Sequence, residues 1–161
     1  LPENGEPRLN GVLLYSGRFP DPSRPDEAVV SKAFMDAHGY TLGDTVRAIV
    51  NGRAREIEIV GIGDSPEHIY MLGPSGMLPD EKRFAVFWMG RRALEAAFDL
   101  DGAFNDVAVS LSPGANPQGV IDELDILLEP YGSGGAYGAD DQLSNASIVP
   151  LVYFLSGFRL L

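Results

Sequence analysis

Thr45-Val46-Arg47-Ala48-Ile49-Val50-Asn51-Gly52-Arg53-Ala54-Arg55-Glu56-Ile57-Glu58-Ile59-Val60 is the stretch whose reading decides the fold. Two β-rich runs, 45–50 and 55–60, flank Asn51-Gly52, the pair that best tolerates positive φ at both turn positions. In the second run Ile57 and Ile59 share one side and Glu56 and Glu58 the other. One face of this hairpin is therefore wet and the other belongs to a core. Leu42-Gly43-Asp44 supplies a tight turn into the first strand.

Upstream, Glu27 to Val30 reads as a short strand. Ser31 stands as the N-cap of a helix over 32–38 that Gly39 stops in the left-handed conformation, with Phe34 and Ala37 toward the core. Pro20, Pro22 and Pro25 hold an extended loop before that strand, because proline fixes φ and removes a donor. The apolar run Val12-Leu13-Leu14-Tyr15 precedes the loop, and residues 1–11 read as irregular and polar. Leu1-Pro2-Glu3-Asn4-Gly5 has neither the basic nor the apolar region of a signal peptide, and the missing initial Met reads as a piece of a longer chain.

Downstream, Pro66, Pro74 and Pro79 mark a long loop over 63–83, and loops of that length in a compact domain tend to be functional. Phe84 to Met89 reads as a strand bearing Trp88. Arg91 to Phe98 reads as a short helix with Leu94, Ala97 and Phe98 on one side. The alternation of Asp106-Val107-Ala108-Val109-Ser110-Leu111 predicts another strand, with Val107, Val109 and Leu111 on one face. Asn116 and Pro117 open a helix running to about Glu129, with Val120, Ile121, Leu124, Leu127 and Leu128 as its stripe. Together these elements predict an α+β fold: a β-rich block with short helices, then a strand–helix unit.

Composition narrows the function. The 161-residue chain carries 23 acidic and 12 basic side chains, a formal net charge of −11. That balance argues against a nucleic-acid partner, which requires clustered Lys and Arg to neutralise phosphates, and against docking on anionic lipid through a basic patch. With 45% hydrophobic residues the chain has material for a core, while Gly 19 and Pro 12 favour many short elements. Cysteine is absent, so disulfides, thiolate nucleophiles and Cys-based metal sites are impossible.

Few residues suggest chemistry. His38 lies in the last turn of a short helix, where an imidazolium suits the dipole. His68 sits among Asp64, Ser65 and Glu67, but sequence neighbours in one short loop rarely assume the geometry of a Ser-His-acid relay. Asp99, Asp101 and Asp106 with Gly102 and Asn105 approximate a calcium loop, yet the glycine falls at position four and Ser110 stands at position twelve, where Glu belongs. Gly132-Ser133-Gly134-Gly135-Ala136-Tyr137-Gly138 lacks the Lys-Ser/Thr of a phosphate loop and leads into Asp140-Asp141; it reads as a flexible turn. Asn145-Ala146-Ser147 matches a glycosylation acceptor, a pattern too common to weigh. The residues predict no catalytic group, no cofactor and no metal.

Several stretches together carry a resemblance. They are Gly5-Glu6-Pro7-Arg8-Leu9-Asn10; Ser16-Gly17-Arg18-Phe19-Pro20; Asp26-Glu27-Ala28-Val29-Val30-Ser31; and Ala37-His38-Gly39 before Leu42-Gly43-Asp44-Thr45-Val46. The Asn51-Gly52-Arg53 hairpin continues to Ile59-Val60-Gly61-Ile62. Later come Ser65-Pro66-Glu67, Arg83-Phe84, Gly102-Ala103-Phe104-Asn105-Asp106 and Asp141-Gln142-Leu143-Ser144-Asn145. Over most of residues 5–145 the chain resembles the large extracytoplasmic domain, or periplasmic core domain, of FtsX-like (MacB-type) ABC transporter permeases.

The resemblance implies a domain at 1–145 held outside the cell (inner) membrane, inserted after the first of four transmembrane helices. Residues 12–90 would be mainly an inserted β-rich subdomain, and 104–130 the second half of a porter-like βα subdomain whose first half precedes Leu1. It also implies a cytoplasmic ABC ATPase as partner, a permease dimer and an external protein partner. Such permeases export or extract a lipid, lipoprotein, peptide or drug, or signal to an external hydrolase, and no catalytic residue is implied in this domain. Where the family continues into a helical stalk, Ala146 and Ser147 lead at once into an apolar tail; residues 146–161 take no assignment.

Within this reading Ile69, Tyr70, Met71, Leu72, Met77 and Leu78 are the candidate cargo or partner contact, and they read equally as residues folding back onto the core. The second expectation is a module holding an apolar molecule between the β block and the helices. A hydrolase using Ser65, Glu67 and His68 is the third.

Overall fold

The computed structural model describes residues 1–2, 9–68, 80–104 and 106–141. The chain divides into two compact units, Leu1–Ala108 and Val109–Leu161. The first is built on a five-stranded sheet. Its strands are β1 (Leu13–Gly17), β2 (Glu27–Ser31), β3 (Thr45–Val50), β4 (Arg53–Asp64) and β5 (Phe87–Met89), with helices α1 (Lys32–His38) and α2 (Arg91–Phe98). The second unit contains α3 (Pro117–Leu128). The fold is α+β, as the sequence predicts.

β4 is the spine. Its first half pairs with β3 across the hairpin, from Val50↔Arg53 to Thr45↔Glu58. Asn51 and Gly52 take φ of 47° and 75°, the left-handed values the turn demands. Its second half pairs antiparallel with β1 and, on the other side, parallel with β2. β5 adds antiparallel to β2, giving the order β1-β4-β2-β5. Burial tracks this change of neighbours. Along β3 and the start of β4 alternate residues are exposed, whereas Ile59 through Gly61 and all of Glu27–Val30 are buried.

Ala28, Val30, Met35, Ile57, Ile59 and Met89 form the core, with Phe34, Tyr40, Val46 and Phe87 packed against it. Phe34 faces the core as expected. α1 follows β2 directly, but Ser31 does not cap it through its side chain. The hydroxyl instead accepts from the Val86 N–H at 3.2 Å, and Asp64 Oδ1 accepts from the Lys32 N–H at 3.3 Å. The cap is thus supplied by the end of β4, which ties the helix to the sheet's spine. Gly39 closes α1 at φ 70°, as its position predicts. The tight turn at 42–44 forms as well: Gly43 N–H donates to the Ile59 carbonyl and Ile59 N–H to the Asp44 carbonyl, both at 2.9 Å.

Close approach explains two glycines. At Gly17, with φ 82°, an added Cβ would stand 2.2 Å from the Val60 carbonyl oxygen. At Gly61 it would stand 2.5 Å from the Arg18 carbonyl oxygen. β1 and β4 cross here at a bulge between Leu14 and Ser16, and only glycine fits the crossing.

Four expectations need correction. The strand expected at 106–111 does not form: residues 106–111 are irregular, and Val107, Val109 and Leu111 are exposed. Alternation marks a segment able to join a ladder, and among the described strands none pairs with it. On α2 the buried residue is Ala93, while Leu94 and Phe98 are exposed. The loop expected from 63 begins later, because β4 extends to Asp64 and Pro66–His68 form a 3₁₀ turn. The predicted strand at 84–89 shortens to Phe87–Met89.

α3 has the expected bounds, with Pro117 in its first turn, but Asn116 makes no side-chain cap bond. Val120, Ile121, Leu124 and Leu128 are half-buried and Leu127 is exposed. The glycine-rich segment folds back as a turn. Asp125 Oδ1 accepts from the Ala136 N–H at 2.6 Å and Ser133 Oγ from the Gly135 N–H at 3.2 Å.

Candidate functional site

Two polar assemblies in the first unit occupy stretches that carry the resemblance. The first locks the proline-rich loop onto the sheet. Arg18, just after β1, reaches Glu27 at the start of β2 with both guanidinium nitrogens, Nη1 to Oε2 and Nη2 to Oε1, each at 2.6 Å. Arg24 Nη1 adds a contact to Oε1 at 3.1 Å, and the Asp21 N–H donates to Oε2 at 2.9 Å. Glu27 is only 2% exposed. A buried carboxylate is costly unless paired, and this one is paired on both oxygens. The Arg18 hydrogen bonds outweigh the burial and hold the Glu27 carboxyl down to about 2.

Asp26 stands next to this latch. Arg55 Nε lies 2.8 Å from its Oδ1, while the Asp26 carbonyl accepts from the Glu58 N–H at 2.8 Å. The ion pair is close but lacks a hydrogen bond's alignment, so Oδ1 has no hydrogen-bonding partner among the described residues. Asp26, Glu27, Glu56, Glu58, Thr45 and Arg24 line an open cleft of about 360 Å³. A smaller cleft of about 180 Å³ lies among Phe19, Pro20, Pro22, Arg24 and the start of α2.

The second assembly is a clasp at the far end of β4. Ser65 is buried and its hydroxyl donates to the Asn10 carbonyl at 3.4 Å. The Asn10 side-chain amide in turn donates to Glu67 Oε1. Asn10 itself has φ 53°, a conformation asparagine tolerates better than most residues. His68 N–H closes the 3₁₀ turn on the Ser65 carbonyl at 2.9 Å, and its ring tilts against Trp88 with centroids 6.0 Å apart. Beside it, Asp64 also engages Tyr15 and raises the phenol above its ordinary range, chiefly through charge.

Ser65, Glu67 and His68 are thus brought near one another without forming a relay. The serine hydroxyl turns to a backbone carbonyl, the glutamate to Asn10 and the imidazole to an indole. Ile69, Tyr70, Met71, Leu72, Met77 and Leu78, the candidate contact residues, lie outside the described residues. His38 joins an aromatic group: its ring centroid lies 4.4 Å from Phe34, and Nε2–H donates to the Lys82 carbonyl at 2.8 Å. Asp99 takes φ 56° as the C-cap of α2. Among the described residues no three His, Asp or Glu side chains gather to hold a metal, and no helix is long and apolar enough to cross a membrane.

The latch and Asn10 escaped the sequence reading. A glutamate opening the otherwise apolar run Ala28-Val29-Val30 was the one available signal, since a charge leading a buried strand requires a partner.

No family model, curated protein or solved structure matches the chain.

Proposed function

We propose that the chain is the extracytoplasmic domain of an FtsX-like, MacB-type ABC transporter permease. In this reading it converts movement driven by a cytoplasmic ATPase into displacement of a lipid, lipoprotein, peptide or drug, or of an external protein partner. The observation that carries the reading is that separate stretches of the resemblance touch. Gly17-Arg18 lies against Val60-Gly61, Arg18 holds Glu27, and Gly43-Asp44 bonds Ile59. Scattered motif residues in mutual contact are what a shared folding unit requires, whereas chance matches have no reason to converge.

The geometry also suits mechanical work. β4 runs as one 12-residue strand from the hairpin to Asp64, bonded to three other strands. Displacement at either end of such a spine is carried along hydrogen-bonded backbone rather than absorbed in loops. The reading assigns the domain no bond-breaking role. The alternative of a carrier for an apolar molecule is favoured less, because half of the residues lining the larger described cleft are carboxylates and the smaller is well below the roughly 300 Å³ at which ligand pockets begin.

The test is the full-length protein in its own cells. It will fractionate with membranes, expose this domain to protease added from outside, and copurify with an ABC ATPase. Recovery in the soluble fraction without an ATPase overturns the reading, as does a flanking sequence without apolar spans of about 20 residues.

A further inference from the structure

In the second unit, none of the 12 residues of α3 is buried, although half of the helix is Val, Ile or Leu. A helix this short has marginal stability in water and draws most of its stability from packing an apolar face. On its outward side Ile126 is 74% exposed and Leu127 65%, and Tyr131, one turn on, is 84% exposed. Asp122 and Glu123 stand four residues before Ile126 and Leu127, and Glu129 follows, so carboxylates border the apolar residues along the same surface. Residues 109–141 contain no Lys or Arg at all.

We propose that this outward surface of α3 docks a basic amphipathic segment of a partner protein. Charge selects the occupant. An anionic membrane surface is repelled by Asp122, Glu123 and Glu129, although it would accept the isoleucine and leucine. A second copy of the chain would set the same carboxylates against each other. A helix with leucine-like residues on one face and Lys or Arg flanking them satisfies both halves of the surface, by packing helix against helix with complementary charge at the borders. The inference stands on the surface chemistry of this helix and does not depend on the permease reading.

The experiment uses the whole 161-residue chain and a synthetic Leu/Lys peptide of about 18 residues with leucines at helical spacing. A scrambled peptide of identical composition, without an apolar face, is the control. Calorimetry is expected to give at least about tenfold tighter binding for the amphipathic peptide. Ile126→Ser with Leu127→Ser, and separately Asp122→Asn with Glu123→Gln, are each expected to weaken binding about tenfold, with circular dichroism showing the fold retained. Equal binding of both peptides, or loss-free binding by the variants, reduces the effect to general attraction by an acidic chain and overturns the proposal. Should the variants misfold, hydrogen exchange on the unaltered chain decides: α3 amides are expected to exchange fast alone and slowly with the amphipathic peptide. Slow exchange in the free chain means that the face is already covered, by the chain itself or by a second copy, and overturns it too.

Discussion

Arg18 and Glu27, nine residues apart and on either side of the proline-rich loop, meet through two parallel 2.6 Å bonds that fix the loop to the first residue of a buried strand. The pairing is asymmetric, since the arginine side chain is 49% exposed and the glutamate 2%. Removing the arginine strands a buried charge, whereas removing the glutamate returns an arginine to water. Arg18→Ala is therefore expected to destabilise the domain by about 2–3 kcal/mol, below the full range for a buried pair because Arg24 and the Asp21 N–H still serve the carboxylate. Arg24→Ala, at the exposed, single contact, is expected to cost no more than about 1 kcal/mol. Urea unfolding of the two variants side by side checks the ranking.

The same carboxylate makes stability depend on pH. Folding lowers its pKa from 4.5 to about 2, with the Arg18 bonds as the main cause. Between those values the unfolded chain binds the proton and the folded one does not, so unfolding is favoured as pH falls. The stabilisation is complete above 4.5 and is lost as pH drops toward about 2. Urea midpoints measured from pH 6 down to about 2.5 are expected to fall less steeply for Glu27→Gln than for the unaltered chain. Parallel curves would show that Glu27 is not the titrating group.

Glycines at positive φ are expected to separate into two classes. Gly52 has φ 75° and open space around its missing Cβ, so Gly52→Ala meets only the backbone penalty of about 1 kcal/mol. Gly17 adds a 2.2 Å collision with the Val60 carbonyl, which is backbone and cannot turn aside. Gly17→Ala is expected to cost more than about 3 kcal/mol, combining strain with overpacking. Equal losses at the two positions would mean that β1 and β4 separate freely at the bulge.

What the sequence made legible was local. The hairpin, the Gly39 stop and the bounds of α2 and α3 rest on turn chemistry and periodicity within a few residues, and they appear where those rules put them. Partner choice is non-local and did not follow. Nothing in Arg18 or Glu27 names the other among 12 basic and 23 acidic side chains. The parallel register of β2 on β4 depends on chain thirty residues apart, and the alternation at 106–111 records a capacity to pair without a partner among the described strands. Of the candidate site, the sequence discounted a relay at 65–68 on geometric grounds and carried no sign that Asn10 closes over those residues.

Asn10 offers the last test, because its two roles can be separated. Its left-handed backbone presents the carbonyl to Ser65, and its side chain donates to Glu67. Asn10→Gly keeps access to that backbone conformation and deletes the amide; Asn10→Ala deletes the amide and disfavours the conformation as well. If the clasp holds the 3₁₀ turn, exchange of the His68 amide, which donates to Ser65, will accelerate in both variants and more in alanine. Core amides in β2 should be unmoved. Glu67→Gln retains an acceptor and is expected to behave almost as the unaltered chain, while Glu67→Ala should match Asn10→Gly and add little to it in the double variant. Full additivity would show that Asn10 and Glu67 act independently, and the clasp would then be a contact without consequence for the turn that follows β4.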